Sequence, residues 1–319
     1  MSCVYKGQVI ESEQSTNAMG GTEMMRARLL DNCRHDLLKN VAIHFSRPRQ
    51  IYEDVANILY CHDLAEDPEM VKVLSDGKWE DFDHFVFVSA WQRDQFIARY
   101  GMPYSWCTVI HNAIEKNYTL PEDKDYGTIR FIYHTTPHRG LELLVPIFDA
   151  LSNEFDNIHL DVYSSFSVYG WEQRDAPYEG VFNNIRTHPK MTYHGAVNNK
   201  EVLEALDKAH IFLYPNIWKE TSCLAMIEAI RSGVLCIHPN YGALTETAGH
   251  ATVMYDYDED TQDHANMAYS VTKQVLLNQK KDPTFLERLT TSDRYTLGRH
   301  GISSFANMWN RLLKDFEDE

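Results

Sequence analysis

The chain has 319 residues, 44% hydrophobic and 24% charged, which is ordinary globular usage; it excludes disorder, collagen and low complexity as the main organisation and suits two domains. Its 46 acidic against 30 basic residues give a formal net charge of −16, which argues against a broad nucleic-acid or anionic-membrane surface. No run reaches the ~20 apolar residues of a membrane helix, and residues 1–10 lack a basic stretch followed by an apolar one. The six cysteines at 3, 33, 61, 107, 223 and 236 form no C-x-x-C, so free thiols in a reducing, cytoplasmic compartment are expected.

In chain order, residues 4–10 are a poor first strand. The spacing of Met25, Leu29, Leu30, Cys33 and Leu37 predicts a helix over 22–40, preceded by Gly20 and Gly21. Short apolar runs at 41–45, 58–61 and 85–88 predict buried strands, a helix follows over 90–100, and 109–110 is another short strand. Residues 115–127 are polar, carry Pro121 and lack periodicity, so they read as a linker. A second series then predicts strands at 129–133, 159–163, 211–214 and 234–237. Helices at 141–151, 200–209 and 222–231 alternate with them, and Gly233 sits where a helix-terminating glycine belongs. The last segment, 296–316, reads as a helix with Phe305, Met308, Trp309 and Leu312 on one side. Alternation of this kind predicts an α/β protein with parallel sheets. The expected organisation is a short Rossmann-like domain over 1–116, a linker over 117–127, a second Rossmann-like domain over 128–295, and a terminal helix over 296–319 that returns to the first domain. Ligands of such sheets bind beyond the carboxyl ends of the strands, here in a cleft between the two halves.

The most informative segment is Lys219-Glu220-Thr221-Ser222-Cys223-Leu224-Ala225-Met226-Ile227-Glu228. It follows the strand at 211–214 and enters a helix. Two carboxylates eight residues apart can face one ligand ~12 Å long. Thr221 and Ser222 between them are good helix caps, and the free N–H groups of the first turn suit a phosphate. An ionised carboxylate at the far end suits a ribose diol, and the other suits sugar hydroxyls. The set is shaped for a nucleoside diphosphate sugar, although two glutamates on the wet side of an amphipathic helix give the same spacing.

Further landmarks stand around it in order: Tyr-His-Gly-Ala-Val at 193–197, Phe-Leu-Tyr-Pro-Asn at 212–216, Ser-Gly-Val at 232–234 and Gly-Ala-Leu-Thr-Glu at 242–246. Together these resemble the C-terminal half of the retaining glycosyltransferases of family 4, the glycosyl transferases group 1. The resemblance implies the GT-B fold, in which two Rossmann-like domains face a central cleft. It further implies that Arg139, in His138-Arg139-Gly140-Leu141, meets the donor diphosphate, that Glu220 holds the donor sugar, and that Glu228 holds the ribose. Thr221, Ser222 and Leu224 line the same substrate. His134 stands where the family often has a second arginine, which alters that contact. Gly20-Gly21-Thr22-Glu23 resembles the glycine loop before the first helix of the acceptor domain. His62, after the strand at 58–61, resembles the catalytic-site histidine that hydrogen-bonds the transferred sugar. Asn112-Ala113-Ile114 and Ser89 resemble the end of the acceptor domain, with Ala113 in place of the usual glycine. No metal and no cofactor are implied beyond the donor, which is UDP- or GDP-linked. The acceptor is not implied, and no nucleic-acid partner is expected.

Three rival readings stand beside this one. The chain could be a non-catalytic nucleotide-sugar-binding partner of another transferase, a GT-B sugar-nucleotide epimerase, or a DNA-base glucosylating enzyme, the last disfavoured by the charge. The Asp256-x-Asp258 pair follows an apolar run but comes after the second nucleotide-binding half, so a solvated acidic loop is expected there rather than a metal site. Asp81-x-Asp83 is read the same way. Walker A, H-E-x-x-H and G-x-S-x-G patterns are absent.

Overall fold

The computed structural model describes residues 3–10, 20–48, 50–114, 124–249, 252–290 and 298–317. They form two compact units, Met1–Lys116 with Gly298–Glu319, and Asn117–Leu297. The fold is α/β, with one sheet in each unit.

In the first unit the apolar runs become β3 (Val41–Phe45), β4 (Ala56–Cys61), β5 (His84–Phe87) and β6 (Cys107–Val109), paired in parallel. All five residues of β3 are buried, the pattern of a strand covered on both faces. The weak 4–10 stretch is an antiparallel hairpin of β1 (Cys3–Tyr5) and β2 (Gln8–Ile10), with β1 also paired to β3. Lys6 and Gly7 both take positive φ at its turn, as two-residue hairpin turns require.

The first predicted helix ends early. Helix α1 spans Gly21–Asn32, the Cys33 N–H closes on the Leu29 carbonyl, and Leu37–Asn40 is a separate 3-10 turn. Asn32 turns its side-chain amide onto the Arg28 carbonyl, and the break lets both Leu37 and Leu38 reach the core. Helix α2 (Pro68–Leu74) begins on Asp67, whose carboxylate accepts from the Glu69 and Met70 N–H groups. Helix α3 (Ala90–Tyr100) is capped by Ser89 and ended by left-handed Gly101.

The second sheet is wholly parallel, in the order β12-β11-β10-β7-β8-β9. Its strands are β7 (Ile129–Tyr133), β8 (Ile158–Val162), β9 (Met191–Tyr193), β10 (Ile211–Leu213), β11 (Leu235–Pro239) and β12 (Val253–Tyr255). The chain winds outward from β7 through β8 to β9, then returns to β10 and winds the other way. The reversal falls between β7 and β10, and the loops leaving those two strands flank the topological switch point, where such sheets bind ligands. The helices are α4 (Leu141–Ser152), α5 (Glu179–Thr187), α6 (Asn199–Leu206), α7 (Leu224–Arg231), α8 (Leu244–Ala248), α9 (Thr261–Lys281) and α10 (Phe285–Thr290). Gly233 follows α7 with φ +63, in the place the sequence gives it.

Most of the expected 115–127 linker lies outside the described residues. Lys124, within it, is fixed to the second unit. Its ammonium donates to the carbonyls of Ala209 at 2.6 Å, Ser232 at 2.8 Å and Gly233 at 3.1 Å, covering carbonyls that the ends of α6 and α7 leave open. Helix α11 (Ile302–Lys314) buries Phe305, Trp309, Leu312 and Leu313 and packs on α1 within the first unit. Residues 296–297, where the predicted terminal helix begins, lie outside the described residues. The six thiols are free, and all but Cys3 are buried. Among the described residues no helix is long and apolar enough to cross a membrane.

Candidate active site

After β7 the chain makes a 3-10 turn over Pro137–Arg139 and enters α4 through Gly140 at φ +115. A Cβ on Gly140 would stand 2.1 Å from the Pro215 carbonyl oxygen, so the turn lies backbone to backbone against the loop leaving β10. That contact brings Arg139 to Glu220. The Arg139 guanidinium (Nη1) donates to Glu220 Oε1, and the Tyr214 hydroxyl donates to the same oxygen at 2.5 Å. Glu220 is only 3% exposed. Its backbone is held from the other side by the loop after β11. The Ala243 N–H donates to the Glu220 carbonyl at 2.8 Å, and a Cβ on Gly242 (φ +60) would be 2.8 Å from both Glu220 N and O. Burial opposes the Arg139 charge, but the Glu220 carboxylate overrides it and holds the guanidinium well above its ordinary range. Burial and then Glu220 push the Tyr214 hydroxyl far up, so it stays a proton donor in the hydrogen bond.

The helix carrying Glu228 starts later than the sequence predicts. It begins at Leu224, with extended Cys223 (φ −130, ψ 95) at the N-cap and no side-chain cap. Thr221 and Ser222 therefore precede the helix and neither is its N-cap residue, a correction to the cap assignment. The physical reason is tertiary: Glu220 is locked by Gly242 and Ala243, and Cys223 is buried, so the chain reaches the helix one residue after the serine. Leu224 is the first helical residue and half-buried. Glu228 is buried one turn in, and the Asn199 amide donates to its Oε1 at 3.1 Å.

His134 lies in the same unit but turns inward. Its Nε2–H donates to the Ala225 carbonyl at 3.0 Å, and its ring packs 4.7 Å from Phe212. Burial pushes the imidazole down to about 4, so at neutral pH it carries no charge toward a phosphate. His138 stacks on Phe166 at 5.2 Å and meets the edge of Trp218 at 4.9 Å. Among the described residues, five buried polar atoms in the loops after β7 and β8 lack a hydrogen-bond partner: His134 Nδ1, Thr136 Oγ1, His138 Nδ1, Arg139 Nε and Ser164 Oγ. Unsatisfied buried atoms in a native fold call for an explanation, and a polar ligand is one. The sequence reading passes over Ser164 and the whole loop after β8, because two 3-10 turns with neither helical nor strand periodicity occupy it. A separate 630 Å³ pocket, lined by Arg130, Asp161, Tyr163, His194, Glu201 and Lys208 among others, runs along α6 and contains none of the predicted residues.

In the first unit, Gly20 is extended (φ −78, ψ 175) at the N-cap of α1, and Gly21 is the first helical residue. His62 directly follows β4, with its ring 4.3 Å from that of Tyr60. Burial pushes its imidazole down to about 3, so it is uncharged at neutral pH. The His62-Asp63 turn is held from three sides. The His62 N–H donates to Ser46 Oγ at 3.0 Å, and Arg47 forks onto the Asp63 carboxylate at 3.2 and 3.4 Å. Gln92, fully buried, donates to the Asp63 carbonyl at 2.8 Å. Ser46 itself has φ +62, a conformation non-glycine residues rarely hold unless the surroundings enforce it. Nothing in the sequence marks Ser46.

Asp256 and Asp258 belong to a turn: the carboxylates accept from the Asn240 amide and the Asp260 N–H, both at 2.8 Å. Among the described residues no group of three or more His, Cys, Asp or Glu is arranged to hold a metal ion.

The family model of the glycosyl transferases group 1 matches residues 114–280. A human relative, one of the subunits of phosphatidylinositol N-acetylglucosaminyltransferase, is 24% identical over 169 residues, 52% of this chain and 34% of that protein, so the match spans about a third of the relative's length. Among solved structures, a glycosyltransferase from Rickettsia africae superposes with a TM-score of 0.66 at 12% identity, covering 97% of this chain and 85% of that one. Anabaena HepE in complex with UDP-glucose superposes at 0.62 and 13% identity, covering 82% of this chain and 72% of that one.

Proposed function

The chain belongs to the glycosyl transferases group 1, and from that membership we propose that it is a metal-independent, retaining glycosyltransferase whose donor is a UDP- or GDP-linked sugar. The observation that carries the reading is the Arg139–Glu220–Tyr214 cluster at the switch point of the second unit, with buried Glu228 farther along the same segment. In this reading a donor diphosphate competes with Glu220 for the Arg139 guanidinium, whose forked donors match phosphate geometry. The freed Glu220 carboxylate then accepts from hydroxyls of the donor sugar, and Glu228 accepts from the ribose diol. Uncapped N–H groups at the start of α7 face the same charge. All of this is aimed at the group that leaves: the bond from the anomeric carbon to the diphosphate oxygen breaks, the acceptor hydroxyl oxygen forms the new bond, and its proton goes to the departing phosphate. Removing one such donor costs ~3 kcal/mol of barrier by analogy with oxyanion-hole deletions. His62 in the first unit, neutral, hydrogen-bonds the transferred sugar; Gly20 and Gly21 line the acceptor side.

The UDP-glucose held by HepE and the N-acetylglucosaminyl transfer in the human relative's name make UDP-sugars the first donors to try. The test is thermal unfolding against UDP, GDP, ADP, CDP and their sugars, with and without EDTA. A ligand at 100 times its Kd adds ~2.7 kcal/mol, about 5–10 °C for units of this size. We expect one nucleotide family to give that shift and EDTA to leave it intact. No shift from any of them overturns the donor assignment, and a shift lost in EDTA overturns metal independence. A product whose anomeric configuration is inverted by NMR overturns retention.

A further inference from the structure

The charge balance at the switch point is incomplete for a diphosphate, which carries two negative charges. Arg139 is already matched by Glu220, and His134 is turned toward the Ala225 carbonyl. A second cation is needed nearby, and it must not be spent on a carboxylate of its own.

The loop leaving β8 runs beside the β7 turn, because its Phe166 ring stacks on His138. It is closed on itself by Asp175: the Phe166 N–H donates to Asp175 Oδ1 at 2.8 Å, and the Ser165 hydroxyl donates to Oδ2. That carboxylate is thereby used inside the loop. Next to it stands Arg174. Its backbone N–H donates to the Trp171 carbonyl at 2.9 Å, and its guanidinium lies over the Trp171 ring, 4.3 Å from the centroid. Arg174 is exposed and makes no ion pair with any described residue. Stacking fixes the plane of the guanidinium while leaving its N–H fork free, so less side-chain freedom is lost when a phosphate arrives. Arg139 and Arg174 both lie close enough to His138 to act on its imidazole, which burial and then these two charges push down to about 4. Of the two guanidiniums whose charge reaches this ring, Arg139 is already paired and Arg174 is not.

We propose that Arg174, stacked on Trp171 in the loop after β8, is the second cation of the donor site and binds the phosphate charge that Arg139 leaves uncompensated. The inference rests on the nucleoside diphosphate reading above and adds a residue to it.

The experiment is calorimetric titration of UDP, GDP and the matching nucleosides into the full chain and into Arg174→Gln, Arg174→Lys, Lys219→Gln and Arg186→Gln. Lys219 precedes Glu220 in the chain and is the rival cation. Arg186 is the control: it also lies over an aromatic ring of the second unit, that of Tyr193, but it is paired with Glu179. The expected result is a 10- to 100-fold loss of nucleoside diphosphate affinity in Arg174→Gln, a smaller loss in Arg174→Lys, and unchanged affinity in Arg186→Gln. Nucleoside affinity should be unchanged throughout. Equal binding by Arg174→Gln and the unmodified chain overturns the proposal and leaves the donor reading standing. So does a loss confined to Lys219→Gln, or an equal loss in Arg186→Gln. An unmodified chain that binds no nucleoside diphosphate overturns both.

Discussion

Gly140→Ala tests the backbone contact that brings Arg139 to Glu220. Two costs apply. The first is conformational: at φ +115 a residue with a Cβ is outside its comfortable range, worth ~1–2 kcal/mol. The second is steric. The new Cβ would be 2.1 Å from Pro215 O and 2.9 Å from Pro215 C, backbone atoms that cannot rotate away, so the two loops must separate; overpacking of this sort costs a further ~1–3 kcal/mol. Gly170→Ala supplies the reference. It sits in the same unit at φ +72, with nothing within 4 Å of the place its Cβ would take, and carries the conformational cost alone. At ~2–4 °C per kcal/mol, Gly140→Ala should melt roughly 10 °C lower than the unmodified chain and Gly170→Ala roughly 4 °C lower, by circular dichroism. Gly140→Ala should also lose donor binding by titration, since Arg139 moves with the turn. Equal melting of the two variants, or full donor affinity in Gly140→Ala, would refute the argument that this close approach builds the site.

Ser46→Gly relaxes a positive φ but removes the acceptor of the His62 N–H; melting should hold or rise by a few degrees while turnover falls about tenfold, ~1.4 kcal/mol of barrier, and unchanged turnover would sink the positioning role. Lys124→Met takes one donor from three carbonyls at the ends of α6 and α7; about 1–3 kcal/mol should be lost, read as a lower urea midpoint for the second unit, and an unmoved midpoint would mean water replaces the ammonium freely. Burial holds His62 at about 3 and His134, His210 and His238 at about 4. Their folded values lie below the ordinary 6.5, so the unfolded chain takes up protons that the native one refuses, and stability is lost as pH falls from about 6.5. Each such imidazole contributes at most ~1.4 kcal/mol per pH unit; a urea midpoint that stays flat between pH 6.5 and 5, above the carboxylate range, would contradict their burial.

The strands are legible in the sequence because they are mostly apolar and mostly covered: β3 and β10 are buried throughout, and β4 and β7 bury all but one residue each. Glu220 and Glu228 are legible as a pair because their spacing along one segment is a property of the chain itself. What local pattern cannot show is contact between segments. Thr221 and Ser222 have the chemistry of caps, yet the helix starts at Leu224 because Gly242 packs against Glu220. The predicted helix over 22–40 has continuous apolar spacing, but the core needs Leu37 and Leu38 on a different course. Ser46 has no local signature, since its φ is imposed by neighbours, and Arg174 sits in a loop with no period to read. Such long-range constraints override propensity wherever the two conflict.

The first unit is assembled from both ends of the sequence, and its α1 packs on α11, whose Trp309 is 0% exposed. During synthesis this orders events against the usual N-terminal-first sequence. The ribosome releases the strands of the first unit early, but their core lacks an indole and a leucine pair until residue 313 has emerged. The second unit is one continuous stretch and can close while the first still waits. Nascent chains halted after 297 should therefore hold a folded second unit beside an unfinished first one, with the apolar surface meant for α11 open to chaperones.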